Sequence, residues 1–437
     1  MLKISLLIIS ISLSISCLSQ TYWRVENDRG EELLLTITIN AENNTFETYT
    51  RRDALKEMAG SFMYMMAKTA GKIKYPELMH GEGKTTYNGD TTYYNGNIDY
   101  PDKIFTLKAK TWKNNFYALL SDSKNKTTIL TGEKVASGKP IRDYPSLINN
   151  SFLLTEKYYW DQNILKSSDW ANFKKEINEL KPKIADDYEL AMTMMWLGKK
   201  LNPIPHEIKK LNKKPIEQQR KGNSLKIVNG NKAILFLGNI PDNKDDTEQI
   251  FKELNEKKIE TLIVEASGNR NLSLSSALML ANHLNSKPSD WGCYLTRKWA
   301  ESGNSVPQPA SYESALKNPL TYSGISNEIF SEKGFYLKTI PSESTFKGKV
   351  YFLINKGSSN VAEALAIYLK NEKLVTLVGQ KTAGFPVLSN VFELDKLYRL
   401  NIPFAQFYDK NGKSYQGIGI EPDHFIEQDA IGYVLKL

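Results

Sequence analysis

Residues 350–378 read VYFLINKGSSNVAEALAIYLKNEKLVTLV. Val350 to Ile354 is a short apolar run that predicts a buried strand, and Leu374 to Val378 is a second one. Between them, Asn360 to Lys370 has the length and the apolar spacing of an amphipathic helix. A strand, a helix and a strand in this order predict a βαβ crossover, whose two strands lie parallel in one sheet.

The same alternation of strand and helix extends towards the N-terminus. Strands are predicted at Ala233 to Leu237 and at Thr261 to Glu265, and helices at Asp246 to Lys257 and Ser275 to Leu284. We therefore expect residues 223–437 to form an α/β domain, with a mostly parallel sheet and crossover helices.

Two segments with other patterns precede this α/β domain. Residues 20–145 contain alternating strands such as Leu35 to Ile39, and they predict a small antiparallel barrel or sandwich that carries one helix over Asp53 to Lys68. Residues 146–222 are predicted to be helical, because apolar side chains recur at helical spacing from Trp170 to Leu180.

The first 19 residues have the pattern of an export signal. Met1 to Lys3 is a short positive start, and the apolar stretch Ile4 to Ile15 is too short and too rich in serine to span a membrane, which takes about 20 apolar residues. Cleavage after Ser19 would release the chain, whereas lipidation of Cys17 would anchor it. Either route predicts an exported protein of the periplasm, the cell envelope or the extracellular space.

Composition narrows the range of partners. The 437 residues carry 57 Lys and Arg against 49 Asp and Glu, a net charge of +8, and 41 % of them are hydrophobic, which is typical of a globular protein. The basic residues are spread among acidic ones, so we predict no nucleic-acid binding and at most a weak association with anionic envelope or membrane surfaces. The histidines lie outside any metal-ligand spacing, and we predict no metal and no cofactor. The sequence indicates no oligomeric state.

Candidate chemistry lies where predicted strands end and helices begin, because free N–H groups there favour negative charge. Three such junctions are Glu265 to Asn271, Asn355 to Glu363 and Gly379 to Gly384. At the second junction, a serine (Ser358 or Ser359) is either a nucleophile at a strand-to-helix turn or a cap of the following helix.

From about Trp170 to Ile426, the order of these features resembles the tail-specific, or C-terminal-processing, serine peptidases, whose relatives include the tricorn core. Phe346 to Asn355 resembles the strand that enters the family's nucleophile turn. Residues 378–384 (VGQKTAG) are similar to the family's Gly-x-x-Thr-x-Gly loop, and residues 417–423 (GIGIEPD) to its closing Gly-(Val/Ile)-x-Pro-Asp signature. The resemblance implies a serine-peptidase fold that acts on polypeptide segments.

The chain departs from this family at the positions that the resemblance makes catalytic. In the family, the nucleophilic serine lies three residues before a glutamate in the following helix. Glu363 matches that glutamate, so the position of the serine is held by Asn360. An amide cannot be activated for acyl transfer as a hydroxyl can. The position of the tricorn-type glutamate holds Gln416, and the oxyanion segment keeps Gly268 and Asn269 without its two terminal glycines.

Two main functions stay open on the sequence alone, beside a weaker third in which the β-rich domain sequesters a lipid and the rest is scaffold. A nucleophile shifted by one residue to Ser359, with Lys381 or His206 as its base, would give an exported serine-type peptidase. Without such a shift, the chain would be a non-catalytic envelope protein that binds a polypeptide or another ligand. Because several catalytic positions are substituted together, we expect impaired or absent catalysis.

Overall fold

The computed structural model describes residues 18–28, 30–101, 103–199, 201, 208–211, 223–228, 230–238, 244–270, 272–318 and 332–437. These residues divide into two compact units. The first comprises Met1–Ile148, Lys175–Leu197 and Lys210–Lys214, and the second comprises Asn149–Lys174, Gly198–Lys209 and Pro215–Leu437. Residues of the predicted helical segment occur in both units, and the domain boundaries predicted from the sequence stay a prediction.

Cys17 and His206 lie outside the described residues. Leu18 is the first described residue and begins strand β1, so cleavage after Ser19 would shorten this strand by two residues. No helix in the described ranges is long and apolar enough to cross a membrane.

The first unit contains a closed eight-stranded barrel with neighbouring strands antiparallel, so of the two predicted β architectures the structure shows the barrel. Apolar side chains from alternate positions, among them Trp23, Leu35, Phe46 and Leu107, fill its interior. The strands are β1 (Leu18–Asn27), β2 (Glu32–Asn40), β3 (Thr45–Tyr49), β4 (His80–Asn88), β5 (Thr91–Tyr100), β6 (Lys103–Trp112), β7 (Asn115–Ser121) and β8 (Thr127–Val135).

The connection between β3 and β4 holds two helices, α1 (Ala54–Ala59) and α2 (Ser61–Thr69), where the sequence predicts one. Gly60, between them, has a φ of 78°, a left-handed conformation that ends α1. The prediction of a single uninterrupted helix was wrong for this reason.

Four helices follow the barrel in the chain, and the packing within each unit explains their apolar spacing. In the second unit, Phe152 meets the rings of Trp170 and Phe173 edge to face, with centroids 5.8 and 6.1 Å apart. The helices are α3 (Tyr144–Tyr158), α4 (Gln162–Leu165), α5 (Ser168–Leu180) and α6 (Asp187–Gly198), and the short strand β9 (Ile208–Lys210) comes after them.

The main sheet of the second unit has the order β10-β11-β12-β15-β16-β19. The β10–β11 pair is antiparallel and every other neighbouring pair is parallel, so the prediction of an α/β fold with a largely parallel sheet is confirmed at this level. The strands are β10 (Ser224–Val228), β11 (Lys232–Phe236), β12 (Thr261–Glu265), β15 (Lys349–Ile354), β16 (Thr376–Gly379) and β19 (His424–Phe425), and the helices that follow or join them are α7 (Lys244–Glu256), α8 (Leu274–Leu284), α11 (Asn360–Asn371) and α12 (Ala430–Lys436).

A second, antiparallel sheet of this unit has the strand order β14-β13-β18-β17, which the sequence did not predict. Its strands come from distant parts of the chain and contribute Trp291, Phe335 and Phe407 to the core shared with the main sheet. They are β13 (Ser289–Thr296), β14 (Gly334–Thr339), β17 (Val387–Glu393) and β18 (Tyr398–Asp409), and the short helices nearby in sequence are α9 (Arg297–Glu301) and α10 (Tyr312–Ala315).

Candidate functional site

The turn from β15 into α11 is built by hydrogen bonds of its own residues. Asn355 Oδ1 accepts a hydrogen bond from Gly357 N at 2.8 Å, and Asn355 O accepts one from Ser358 N at 2.8 Å. Ser358 Oγ accepts from Asn355 N and donates to Ala266 O, both at 3.1 Å. Since Ser358 is also 1 % exposed, its hydroxyl is a structural link between this turn and the loop after β12.

Ser359 stands at the N-cap position of α11, but its side chain makes no capping hydrogen bond. Its backbone N–H donates to Asn269 O at 3.3 Å, and the residue is 8 % exposed. Of the two roles that the sequence allows for a serine in this turn, helix capping is therefore not the one that Ser359 performs.

Asn360 occupies the position that the family resemblance gives to the nucleophile. Its φ of 57° is left-handed, a conformation that asparagine tolerates better than most residues with a side chain. Its Nδ2 donates to Arg270 O at 2.8 Å, and its backbone N donates to Phe385 O at 2.8 Å. Both nitrogens of Asn360 thus donate to carbonyl groups of neighbouring loops.

The loop after β12 presents carbonyl oxygens to this turn. Gly268 adopts a φ of 70°, and Asn269 N donates to Ala266 O at 3.1 Å inside the loop. The carbonyl groups of Ala266, Asn269 and Arg270 accept hydrogen bonds from the turn, and Arg270 Nε donates back to Gly357 O at 3.3 Å. An oxyanion site needs N–H donors aimed at one point, and here the backbone N–H groups of Asn269, Ser359 and Asn360 all donate to carbonyls of the chain.

Glu363, one turn into α11, joins the helix to the loop after β16. It is fully buried, and its Oε1 accepts hydrogen bonds from Thr382 Oγ1 and from Gly384 N, the latter at 2.8 Å. Its Oε2 accepts from Phe385 N at 2.7 Å. Burial raises the pKa of Glu363, and these hydrogen bonds to the carboxylate oppose that rise.

The two glycine-containing loops named in the sequence analysis interlock beside Glu363. Gly417 N donates to Gly384 O at 2.7 Å, and Ile420 N donates to Thr382 Oγ1 at 2.8 Å. Gly419 has a φ of 74°, and a Cβ atom there would lie 2.7 Å from Thr382 O. The residues that carry the family resemblance in these loops are therefore packing and hydrogen-bonding elements of the scaffold.

The remaining predicted site residues are placed differently. Lys381 Nζ forms an ion pair with Glu421 Oε1 at 2.8 Å, and no hydrogen bond joins it to Ser359 in the described structure. Both amide atoms of the Gln416 side chain are buried, without a hydrogen-bond partner in the part of the chain that the structure describes. The turn thus brings together Ser359, Asn360 and Asn269, while Lys381 pairs elsewhere and His206 lies outside the described residues.

The sequence predicted no hydrogen-bonding role for Arg270, which lies in the first junction, or for Phe385, and the structure places both here. Both accept from Asn360 through their backbone carbonyls, so side-chain chemistry gave no signal for them. Among the described residues, no group of three or more His, Cys, Asp or Glu side chains could hold a metal ion.

Residues 231–426 match the family model described as peptidase family S41. Through these residues, which make up less than half of the chain, it is similar to peptidase family S41. Among curated proteins, it is similar to the carboxy-terminal-processing protease of Bartonella bacilliformis, with 33 % identity over 79 residues. The carboxyl-terminal-processing protease of a Synechocystis species is 28 % identical over 95 residues. These matches confirm the resemblance to the tail-specific peptidases.

The matched stretches are short compared with the whole proteins. They cover 18 % of this chain and 18 % of the Bartonella protein, and 22 % of this chain and 22 % of the Synechocystis protein. Among solved structures, a lipoprotein from Streptococcus agalactiae aligns with a TM-score of 0.44 and 14 % identity, over 68 % of this chain and 96 % of that one. The tricorn protease aligns with a TM-score of 0.38 and 12 % identity, over 90 % of this chain and 45 % of that one.

Proposed function

We propose that this protein binds polypeptide segments at the α/β unit and does not hydrolyse them. The observation that carries the proposal is the state of Asn360. At the position that the family resemblance gives to the nucleophile, it has a left-handed conformation, and its side-chain and backbone nitrogens donate to Arg270 O and Phe385 O. A hydrolase needs a nucleophile and unoccupied N–H donors at this place, and the turn supplies neither at Asn360.

An edge strand of the same unit supports the binding half of the proposal. In the described antiparallel sheet, β17 is the terminal strand, and it begins two residues after Phe385. Val391 on this strand is 54 % exposed. An extended peptide can add to such an edge through main-chain hydrogen bonds, which needs no catalytic group.

The catalytic half of the proposal is tested with a fluorophosphonate probe. Purified protein and an active S41 peptidase as positive control are treated with the probe, adducts are located by mass spectrometry, and digestion of an unfolded protein is followed in parallel. We expect neither adduct nor digestion. An adduct at Ser359, lost together with digestion in Ser359→Ala, would overturn the proposal.

That outcome would establish the second candidate function, a peptidase with a shifted nucleophile. One observation favours it: the Ser359 hydroxyl does not cap α11. Its base would have to be His206 or a rearranged Lys381, because Lys381 pairs with Glu421 in this structure. Lys381→Ala and His206→Ala would then each abolish labelling if that residue is the base.

The binding half is tested by fluorescence anisotropy with a labelled unfolded polypeptide. Val391→Lys places a charge on the exposed edge of β17 and is expected to weaken binding. Leu153→Lys, at a 64 % exposed site on α3 of the same unit, is the matched control and should bind as wild type does. Equal affinities of all three proteins would exclude the β17 edge as the binding site.

We also propose that the chain is exported, on the basis of its N-terminal pattern alone. Mass spectrometry of the protein isolated from cells separates the two routes. A mature chain that begins at Gln20 would show cleavage after Ser19, and a lipid-modified chain that begins at Cys17 would show anchoring. An unprocessed chain that begins at Met1 would contradict the proposal.

A further inference from the structure

A cavity of about 790 Å³ lies at one end of the barrel in the first unit. Its walls come from residues 71–77 after α2, from the turn between β5 and β6, and from the turn between β7 and β8. This volume is within the range of about 300–1,000 Å³ that small-molecule sites occupy. The barrel interior itself is filled with side chains, so the cavity is confined to the end of the barrel.

A buried carboxylate with an unused acceptor faces this cavity. Glu77 is 5 % exposed, and its Oε2 has no hydrogen-bond partner among the described residues. His80 Nδ1, 3.7 Å from that oxygen, is likewise buried without a partner. Arg52 Nη1 lies 3.7 Å from Glu77 Oε1 and offsets its charge. Arg52 Nη1 and His80 Nδ1 thus stand beside the two carboxylate oxygens of Glu77 in the wall of the cavity, each at 3.7 Å.

Three lysines surround the cavity from three different segments. Lys72, Lys103 and Lys124 are exposed, and none forms an ion pair with a described carboxylate. A fourth lysine, Lys74, pairs with Glu82 at 3.3 Å. Of the acidic residues in the walls, Asp122 uses Oδ1 to accept from the backbone N–H groups of its own turn. Asp99 lines the cavity as well, so once Glu77 is set against Arg52 and Lys74 against Glu82, the three lysines face two carboxylates and leave a net charge of +1.

Apolar side chains lie between these charges. Leu55, Ile73, Tyr100 and Ile104 line the cavity, and Ile104 is 64 % exposed. Ile104 lies at the β5–β6 hairpin and is exposed beside lysines that form no ion pair. This combination suits a ligand that is apolar along one part and anionic at one end.

We propose that this cavity binds an amphiphilic anion, with a carboxylate or phosphate headgroup at Lys72, Lys103 and Lys124. The apolar part of the ligand lies along Ile73, Tyr100 and Ile104. This site belongs to the barrel unit alone and is independent of the function proposed for the α/β unit.

The probe is dodecyl phosphate below its micelle concentration, titrated into the full chain by calorimetry. We expect saturable binding of one molecule. Inorganic phosphate tests the apolar contribution, and dodecyltrimethylammonium tests the charge; both should bind at least roughly tenfold more weakly, a difference of about 1.4 kcal/mol. Equal binding of either compound would overturn the proposal.

Two sets of lysine variants separate this site from general attraction to a basic protein. The triple variant Lys72→Gln, Lys103→Gln and Lys124→Gln should lose about tenfold or more in affinity. The matched triple variant, Lys84→Gln, Lys108→Gln and Lys134→Gln, removes the same charge from exposed barrel positions outside the cavity and should bind as wild type does. Equal losses in both variants would overturn the proposal.

A third arm identifies the physical source of the headgroup. Vesicles that contain anionic phospholipid are sedimented with wild type and with the cavity triple variant. Loss of both vesicle and dodecyl phosphate binding in the variant would show that the site takes a membrane lipid, whereas loss of dodecyl phosphate binding alone would show that it takes a free amphiphile. Vesicle binding that exists without any binding of the monomer would contradict a cavity site. Because the three substituted lysines are exposed, unchanged circular dichroism is expected for every variant.

Discussion

Replacing Glu363 by glutamine tests whether its carboxylate holds the loop after β16 in place. In wild type, Oε2 accepts from Phe385 N at 2.7 Å, and Oε1 accepts from Thr382 Oγ1 and Gly384 N. Glutamine keeps an oxygen at the place of Oε1 but puts an NH₂ group where Oε2 was. Two donors then face each other at Phe385 in a site that is fully buried.

The size of the effect follows from these contacts. Losing a hydrogen bond to a charged acceptor costs about 1.5–3 kcal/mol, and leaving a buried donor unsatisfied adds about 1–3 kcal/mol. The neutral amide removes the desolvation cost that raises the pKa of Glu363, which offsets part of this loss. We therefore expect Glu363→Gln to lower the free energy of unfolding of the second unit by about 2–4 kcal/mol.

The assay is urea unfolding followed by circular dichroism, together with hydrogen exchange of residues 380–386 by mass spectrometry. Exchange in this segment should become faster in Glu363→Gln, because the N–H groups of Gly384 and Phe385 depend on the carboxylate. Glu253→Gln is the control, since Glu253 forms an exposed ion pair with Lys257 at 2.8 Å on the surface of α7. A Glu363→Gln protein with wild-type stability and wild-type exchange at 380–386 would refute the reasoning.

The other predictions concern a buried carboxyl group, two glycines and the turn residue. Burial raises the pKa of Asp186 from 3.8 to about 7, so the protonated side chain stabilises the folded state. This stabilisation is complete below about pH 3.8 and is lost as the pH rises through about 7. Urea unfolding of the barrel unit should show this fall in stability, and Asp186→Asn should make the pH dependence flatter. Gly419→Ala should cost at least roughly 2 kcal/mol more than Gly417→Ala, because only the Gly419 position lacks room for a Cβ at nearly the same φ; equal losses in urea unfolding would contradict this. Asn360→Gly should lower the free energy of unfolding by about 1 kcal/mol, because it removes the side-chain hydrogen bond to Arg270 O. Asn360→Ala should lower it by about 1 kcal/mol more, because alanine is strained at this left-handed φ. An alanine variant that is more stable in urea than the glycine variant would contradict this.

The main sheet was predictable because its strands are continuous apolar runs. Val350 to Ile354 and Thr376 to Val378 are buried except at the partly buried Tyr351 and Thr376, so their composition alone indicates strands. The helix between them fixes their parallel direction. The antiparallel sheet gave no such signal. Pro403 interrupts the pattern of β18, and the structure places it at a register shift against Ser389, where a missing N–H is tolerated.

The sequence predicted where the residues of the candidate site lie along the strands and helices, but it did not predict the hydrogen bonds that they form. The sequence indicates that Asn360 lies where a helix follows a strand, and the structure agrees. Its acceptors, Arg270 O and Phe385 O, lie on the loops after β12 and β16, and every residue type offers a backbone carbonyl. Whether the N–H groups of this turn are free or occupied therefore depends on tertiary geometry, which no local pattern of residue types records.

The structure gives a physical reason why the motifs that carry the resemblance can be present while the position matched to the nucleophile holds asparagine. Glu363, Thr382 and Gly419 each have a buried partner or a close backbone neighbour, so replacing any of them leaves a donor unsatisfied or creates a clash. Asn360 is only partly buried, tolerates its left-handed φ, and satisfies its own amide through Arg270 O. Asparagine at this position therefore costs the fold little. In this chain the motifs consequently report that the loops are assembled, and the proposed absence of catalysis rests on Asn360 and the N–H groups around it.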